Sequence, residues 1–252
     1  EWHLKRIPRA EVQQLSDLVQ AELDLMAGIP LKVHCCGSFR RGKADTGDID
    51  MVLEASGDLG YEYRLDTVVE NLQMKGIVQH LVKPSDSSFW SHIHRSARKQ
   101  GEFGPWSSTK AYMGFIRLSS EHSWRRIDMW LYTDRTSLPY GILQYTGSKH
   151  FNCSMRLFAK HKGLVLNSTG LYYGRESSRK GESKLVAEGR VEGSAGVTCE
   201  EDIFKLLGLA YIDPREREAG HPAQTWKMAG DAQAWCEYVD AFGEDDSDYE
   251  ED

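Results

Sequence analysis

The sequence predicts an α+β fold in which helices flank one mixed β-sheet and a mainly helical region follows it. Two observations lead to this class: strand-like and helix-like patterns are mixed over the first 135 residues, and helical patterns dominate after Pro139. A third argues against a membrane span, because no apolar run approaches the roughly 20 residues that cross a bilayer. We therefore expect a boundary near residue 135 and no membrane partner.

Helices and strands alternate in the first region. Apolar residues at three- and four-residue spacings predict an amphipathic helix over about 10–27, between Pro8 and Gly28. A second helix is predicted at "LDTVVENLQMKG", which ends at Gly76. Apolar and β-branched runs predict the strands of one sheet, namely "LKVHCC", "IDMVLEA", "IVQHLV", "AYMGFIRL" and "RRIDMWLY".

The second region has the signals of helix termini. The segment "SKHFNCSMRLFAKHKG" predicts a helix with Ser148 as its N-cap and Gly163 at its end, after a shorter helix at "YGILQY". A Gly- and Ser-rich stretch over 172–197 predicts a hairpin or loop. A last helix is predicted from Thr198, which would form a capping box with Glu201 ahead of "DIFKLLG".

The net charge of −7 is concentrated at one end of the chain. Residues 243–252, "GEDDSDYEED", contain seven acids, and the rest of the chain has 31 acidic and 31 basic residues. We expect this tail to be disordered and the remaining chain to be neutral overall. The five cysteines form neither a CxxC pair nor a zinc pattern, which favours a reducing compartment such as the cytosol or nucleus.

Three aspartates are candidate metal ligands. Asp48 and Asp50 lie two residues apart at the start of a predicted strand, so both carboxylates share one face. Hard oxygen ligands suit Mg²⁺ or Mn²⁺, although an isolated Asp-x-Asp pair could also be a solvated turn. Asp128 on "RRIDMWLY" supplies the third carboxylate that two-metal chemistry requires. Its alternative is an ion pair with Arg125 or Arg126.

The residues before Asp48 favour the metal interpretation, because they form a predicted anion site beside it. Gly37 allows close approach of the backbone, and Ser38 is expected to cap a short helix whose free amides face an anion. Arg41 and Lys43 add positive charge, and Gly47 lacks a side chain where a phosphate would pass. A polyanion and its metal would then meet in one place.

Several motifs together resemble those of one enzyme family. "GSFRRGKADTGDID", "RRID" and "YTGSKHFNCSMR" are similar, in this order, to the palm and thumb motifs of family X DNA polymerases, and "LKRIPR" is similar to the segment that joins fingers to palm. The resemblance covers about residues 3–217. It implies a nucleotidyltransferase palm followed by a mainly helical thumb. The implied divisions are the end of the fingers with a connecting helix (1–29), the palm (30–135), the thumb (136–242) and the acidic tail (243–252).

The resemblance also implies roles for individual residues. Asp48 and Asp50 would hold both metal ions, and Asp128 would hold the catalytic ion beside the primer 3′ hydroxyl. Arg126 would lie near the primer end, and Arg156 would contact the template strand. The residues that match nucleotide-binding positions of the family are Arg6, Gly37, Ser38, Arg41, Gly47, Gln144, Tyr145, Gly147 and Asn152.

The chain departs from the family pattern in the thumb. Gln144 stands where other members have Tyr or Gly, so we expect weakened discrimination against ribonucleotides. Cys153 stands at a position that is often basic, which would weaken one template contact. Lys149 resembles the mu and terminal transferase type, whereas "HFN" and "SMR" resemble the lambda type.

A long polar segment over 83–110 is a further candidate for DNA binding. Connections of this length are usually functional or disordered, and this one mixes basic with aromatic residues, as suits phosphates and unstacked bases. In position it matches the family loop that supports poorly paired primers, although a floppy insertion without a role is the alternative. The candidate residues are His92, His94, Arg95, Arg98 and Lys99.

The resemblance implies a DNA-directed DNA polymerase that uses Mg²⁺ (Mn²⁺ as an alternative). We expect gap filling and end joining in double-strand-break repair, with primer–template or broken-end DNA and dNTPs as partners. We also expect a nuclear monomer whose end-joining partners bind outside this chain, and no lyase activity. The alternatives are an RNA-tailing nucleotidyltransferase, which "TGS" with "FN" and "MR" disfavours, and a non-catalytic DNA-end scaffold, which the three aspartates disfavour.

Overall fold

The computed structural model of the chain describes residues 5–26, 30–55, 65–80, 109–179 and 182–218. Helices and strands are mixed along these ranges, as predicted. The helices are α1 (Arg9–Asp24), α2 (Gly37–Arg40), α3 (Leu65–Met74), α4 (Leu138–Thr146), α5 (Lys149–His161) and α6 (Glu200–Leu207). The strands are β1 (Ile7–Pro8), β2 (Leu31–Cys35), β3 (Asp45–Thr46), β4 (Ile49–Ala55), β5 (Val78–His80), β6 (Thr109–Ile116), β7 (Arg125–Tyr132), β8 (Leu164–Asn167), β9 (Gly170–Arg179) and β10 (Glu182–Arg190).

The central sheet has five strands in the order β2-β4-β7-β6-β5. β4 and β7 pair in parallel, and the other neighbours pair antiparallel, so the sheet is mixed. The α+β fold class predicted from the sequence is therefore confirmed. No described helix is both long and apolar enough to cross a membrane.

The two faces of this sheet have different functions because side chains alternate along a strand. Ile49, Met51 and Leu53 of β4 are buried in one core with α1 and α3, and so are the odd-numbered residues of β7 from 127 to 131. On the opposite face, Val52 and Trp130 pack with α4 in a smaller cluster. This opposite face also carries Asp50 and Asp128.

The region after residue 136 combines three helices with a small sheet. α4, α5 and α6 share one apolar cluster with β8 and β9, in which Phe158 and Phe204 are buried. The sheet order is β10-β9-β8, and the predicted hairpin over 172–197 is confirmed as the antiparallel pair β9 and β10. The Ser148 hydroxyl accepts a hydrogen bond from the amide of Phe151, so the predicted N-cap role of Ser148 is confirmed.

Two predicted helix caps are wrong. α2 begins at Gly37 with Cys36 in the N-cap position, so Ser38 lies inside the helix and is not its cap. The N-cap of α6 is Cys199, one residue after the predicted Thr198, and the helix begins at Glu200. The shift places Asp202 rather than Glu201 at the third helical position. Thr198 donates to Asp202 from its amide at 3.2 Å and from its hydroxyl at 3.1 Å.

A buried ionic network joins the two regions. Glu200 accepts hydrogen bonds from Arg40 of α2 at 2.5 Å and from Arg217 at 2.7 Å. Arg40 also donates to the Thr146 hydroxyl, and Arg217 donates twice to the carbonyl of Ile212. The Arg217 side chain is 0% exposed and that of Glu200 is 5% exposed, so the ion pair replaces the water that each charge loses on burial.

We expect Glu200→Gln to lower the free energy of unfolding by about 3–5 kcal/mol, because it leaves the buried Arg217 without its counter-charge. Urea denaturation followed by circular dichroism measures this loss. The matched control is Glu201→Gln on the same helical turn, which should cost at most about 1 kcal/mol through the helix dipole. Equal losses in the two variants would show that the network does not hold the regions together.

Candidate active site

The parallel pairing of β4 with β7 brings two of the predicted aspartates together. Asp50 and Asp128 are direct partners in the register, so their side chains leave the same face of the sheet. Asp48 lies two residues before Asp50, in the turn that connects β3 to β4. The structure thus gathers all three predicted carboxylates, with Asp48 and Asp50 at the start of β4 and Asp128 in the middle of β7.

Gly37 provides the space that Asp50 occupies. A Cβ atom added at Gly37 would lie 2.0 Å from Oδ2 of Asp50, and the backbone φ of +56° is itself unfavourable for other residues. The amide of Cys36 donates to the Asp50 carbonyl at 2.8 Å, which fixes α2 against β4. The predicted close approach of the Gly37 backbone is therefore an approach to the Asp50 carboxylate.

Burial and neighbouring carboxylates raise the pKa values of Asp50 and Asp128. Burial, followed by the charges of Asp48 and Asp128, raises the pKa of Asp50 to about 8. Burial and the charge of Asp48 raise the pKa of Asp128 to about 6. A divalent cation would remove this repulsion, and the donors are hard oxygens, so the residues fit Mg²⁺ or Mn²⁺. Among the described residues, no three acidic, His or Cys side chains form a finished metal site.

The arginines that precede Asp128 pair elsewhere. Arg125 forms a two-pronged ion pair with Glu11 of α1, at 2.7 and 2.8 Å. Arg126 donates to Asp48 at 3.1 Å. These contacts contradict the alternative in which Asp128 simply serves as the ion-pair partner of one of these arginines.

The predicted triphosphate-binding residues surround β3 and α2. Arg6 pairs with Asp45 at 2.7 Å on the surface, and a Cβ added at Gly47 would lie 3.3 Å from the Arg6 guanidinium. Arg41 donates to the Thr146 carbonyl at 2.6 Å and pairs with Glu218 at 2.8 Å. The predicted anion-binding groups thus lie around the turn that leads to Asp48.

The predicted thumb residues lie at the end of α4 and the start of α5. Asn152 donates to the Gln144 carbonyl at 2.7 Å, and Arg156 donates to the Gln144 side-chain oxygen at 2.8 Å. Gly147 has a φ of +68°, and a Cβ there would lie 3.1 Å from the Arg41 guanidinium. These contacts place the predicted sugar and base residues next to the predicted phosphate residues.

Sequence reasoning missed two residues of this site. Trp130 stacks on Tyr145 with ring centroids 3.6 Å apart, which connects β7 to α4. The two-residue spacing between Asp128 and Trp130 could have placed the indole on the site face. Glu218, which pairs with Arg41, had no signal in the sequence. The predicted loop residues His92, His94, Arg95, Arg98 and Lys99, and the tail 243–252, lie outside the described residues.

We expect the contribution of Asp50 to folding stability without divalent cation to fall as the pH rises from about 4 to 8. The folded chain retains a proton on Asp50 up to a pKa of about 8, whereas an unperturbed Asp loses it near 3.8. Asp50→Asn removes this dependence, so its stability advantage over wild type should grow with pH, by at most about 1.4 kcal/mol per pH unit.

Urea denaturation at pH 5 and pH 8 measures this difference. Added Mg²⁺ should stabilise the wild type at pH 8 more than Asp50→Asn. The control is Asp17→Asn on α1, which should show neither effect. The prediction would be contradicted if, without Mg²⁺, the free energy of unfolding of wild type increased relative to that of Asp50→Asn between pH 5 and pH 8.

Comparisons with known proteins agree with this geometry. Residues 6–134 match the family model described as the DNA polymerase beta palm, and residues 141–218 match that of the DNA polymerase beta thumb. The chain is 30% identical to DNA polymerase lambda of Arabidopsis thaliana over 213 residues. This aligned region is 84% of this chain and 36% of the relative. It is 29% identical over 217 residues to DNA polymerase lambda of Rattus norvegicus, which covers 85% of this chain and 33% of the relative.

A solved structure shows the same similarity in three dimensions. The crystal structure of Leishmania infantum polymerase beta, a ternary P/T complex, superposes with a TM-score of 0.63 at 25% identity, over 86% of this chain and 78% of that chain. This chain spans about a third of the length of the two lambda relatives. Because the palm match covers just over half of the 252 residues and the thumb match follows it in order, the chain belongs to the family X DNA polymerases.

Proposed function

We propose that this chain is the catalytic core of a DNA-directed DNA polymerase that adds dNTPs to a primer 3′ end. The observation that supports the proposal best is the register of β4 and β7, which pairs Asp50 with Asp128 next to Asp48. A parallel pair of strands carrying acids at matched positions is a suitable frame for two divalent cations. Mg²⁺ is the proposed ion, with Mn²⁺ as the alternative.

In this proposal the three carboxylates bind two cations. Asp48 and Asp50 would hold both ions, and Asp128 would hold the ion beside the primer 3′ hydroxyl. When bound, the ions would neutralise charge on the phosphoryl oxygens while the 3′ oxygen bonds to the α-phosphorus and the bond to the leaving pyrophosphate breaks. The raised pKa of Asp50, about 8, means that its carboxyl must lose a proton when a cation binds near neutral pH.

The basic and thumb residues would bind and orient the substrates. Arg6, Ser38 and Arg41, with Gly37 and Gly47, would hold the triphosphate close to the aspartates, because charge-assisted hydrogen bonds favour phosphate oxygens. The thumb residues proposed to orient the incoming nucleotide are Gln144, Tyr145, Gly147 and Asn152. The residues proposed to contact DNA are Arg126 near the primer end and Arg156 on the template strand.

The cellular role is proposed from membership of the family and from the similarity to proteins named DNA polymerase lambda. We propose gap filling and end joining in double-strand-break repair, in the nucleus and as a monomer. The proposed divisions are fingers and connecting helix (1–29), palm (30–135), thumb (136–242) and acidic tail (243–252). A proposed DNA-binding role of the segment 83–110, through its basic residues, rests on the sequence alone.

We expect Asp128→Ala to lower the rate of Mg²⁺-dependent primer extension by more than about 100-fold, since even residues behind metal ligands commonly cost 10- to 100-fold. Extension of a one-nucleotide gapped duplex measures this loss. The matched control is Glu54→Gln, a carboxylate on the same face of β4 that pairs instead with His34. Retained extension by Asp128→Ala would refute the catalytic assignment.

The same assay separates the DNA polymerase from its alternative. Replacing the gapped duplex by an RNA primer should abolish extension by a DNA-directed enzyme. Faster addition to the RNA primer than to the gapped duplex would favour an RNA-tailing nucleotidyltransferase.

We expect Gln144→Tyr to raise the preference for dNTP over rNTP by about 10-fold, because a ring would close space that a ribose 2′ hydroxyl can enter. The ratio of kcat/KM values for dCTP and CTP on one gapped substrate measures the preference. Gln144→Ala is the control, since it breaks the hydrogen bond with Arg156 without adding a ring. Equal preference in wild type and Gln144→Tyr would contradict this prediction.

A further inference from the structure

A basic cleft lies beside Arg41, at the turn that follows α2. It has a volume of about 490 Å³ and is open to solvent. Four of its side chains are cationic and one is acidic, in a chain whose net charge is −7. The lining residues are Arg9, Arg41, Gly42, Lys43, Arg215 and Glu218.

The acid in this cleft contacts two of the cations with its two oxygens. Oε1 of Glu218 accepts from Nε of Arg41 at 2.8 Å, and Oε2 lies 3.1 Å from Nζ of Lys43. Burial alone would raise the pKa of Glu218, but the hydrogen bonds from Arg41 and Lys43 hold it below its usual value. A carboxylate in this position binds the cations as two phosphate oxygens would.

The surrounding contacts keep the cations in place. Arg41 also donates from Nη1 to the Thr146 carbonyl, so its guanidinium has a second contact besides Glu218. Arg9 donates to the Phe39 carbonyl at 2.5 Å and lies 3.9 Å above the Phe39 ring. A Cβ added at Gly42 would lie 3.4 Å from the Arg215 side chain, which places Arg215 at the same turn.

We propose that Glu218 is an internal competitor for the polyphosphate of the nucleotide. It occupies Arg41 and Lys43 in the free protein, leaves when a triphosphate binds, and returns as pyrophosphate departs, while Arg9 and Arg215 enlarge the cationic wall. The inference rests on the proposed function, because that function assigns Arg41 to the triphosphate. Its cost is lower apparent affinity, since only the fraction of molecules with Glu218 displaced is competent to bind.

The test is calorimetric titration of the full chain with inorganic tripolyphosphate, without divalent cation. Glu218→Gln should bind about 3- to 10-fold more tightly than wild type, as expected for removal of one partly exposed ion-pair partner. Glu216→Gln is the matched control, because it removes the same charge from an exposed position in the same turn. Glu218→Asp, which shortens the side chain, should give an intermediate affinity.

A kinetic measurement adds an independent readout. In primer extension, Glu218→Gln should lower the KM for dNTP and lower the pyrophosphate concentration that half-inhibits the enzyme, with kcat equal to or below that of wild type. Equal tripolyphosphate affinities for Glu218→Gln and wild type, or equal gains for Glu218→Gln and Glu216→Gln, would overturn the inference. The failure of wild type to extend any primer, with the affinity difference present, would instead overturn the proposed function alone.

Discussion

The pairing of β4 with β7 is the constraint on which the site depends. One face of these strands forms the core with α1 and α3, and the other face carries Asp50 and Asp128. A slip of one residue would place the carboxylates in the core and the apolar residues in the site. The free energy that fixes the register is therefore largely that of burying the odd-numbered residues. Hydrophobic packing holds the mutually repelling acids in place.

The basic residues of the site are paired with carboxylates of the chain. This holds for each of the three described arginines that the sequence assigned to the triphosphate or the primer end. The pairs are Arg6–Asp45, Arg126–Asp48 and Arg41–Glu218. Substrate binding then exchanges one set of charge-assisted contacts for another. Such an exchange keeps basic side chains close to their working positions and reduces net affinity at the same time.

The sequence was informative where a local pattern carried the information. The two-residue spacing of Asp48 and Asp50 was sufficient to place both at one strand end, and Ser148 was recognisable as a cap. The predicted caps that involve Ser38 and Glu201 were wrong. A shift of one residue at the start of a helix changes which side chain can reach the free amides. Contacts such as Trp130 with Tyr145, or Glu218 with Arg41, depend on packing between distant segments, which no local pattern encodes.

The buried position of Arg217 sets a lower limit on how far the chain could be shortened. Its guanidinium contacts Glu200 and the Ile212 carbonyl. A stop codon or a protease cut ahead of this residue would leave Glu200 with Arg40 as its cation in the network. The palm and thumb would then lose part of their shared anchor, although every proposed catalytic residue would still be present. A deletion that reaches Arg217 would thus weaken the packing around Glu200 before it removes a proposed catalytic residue.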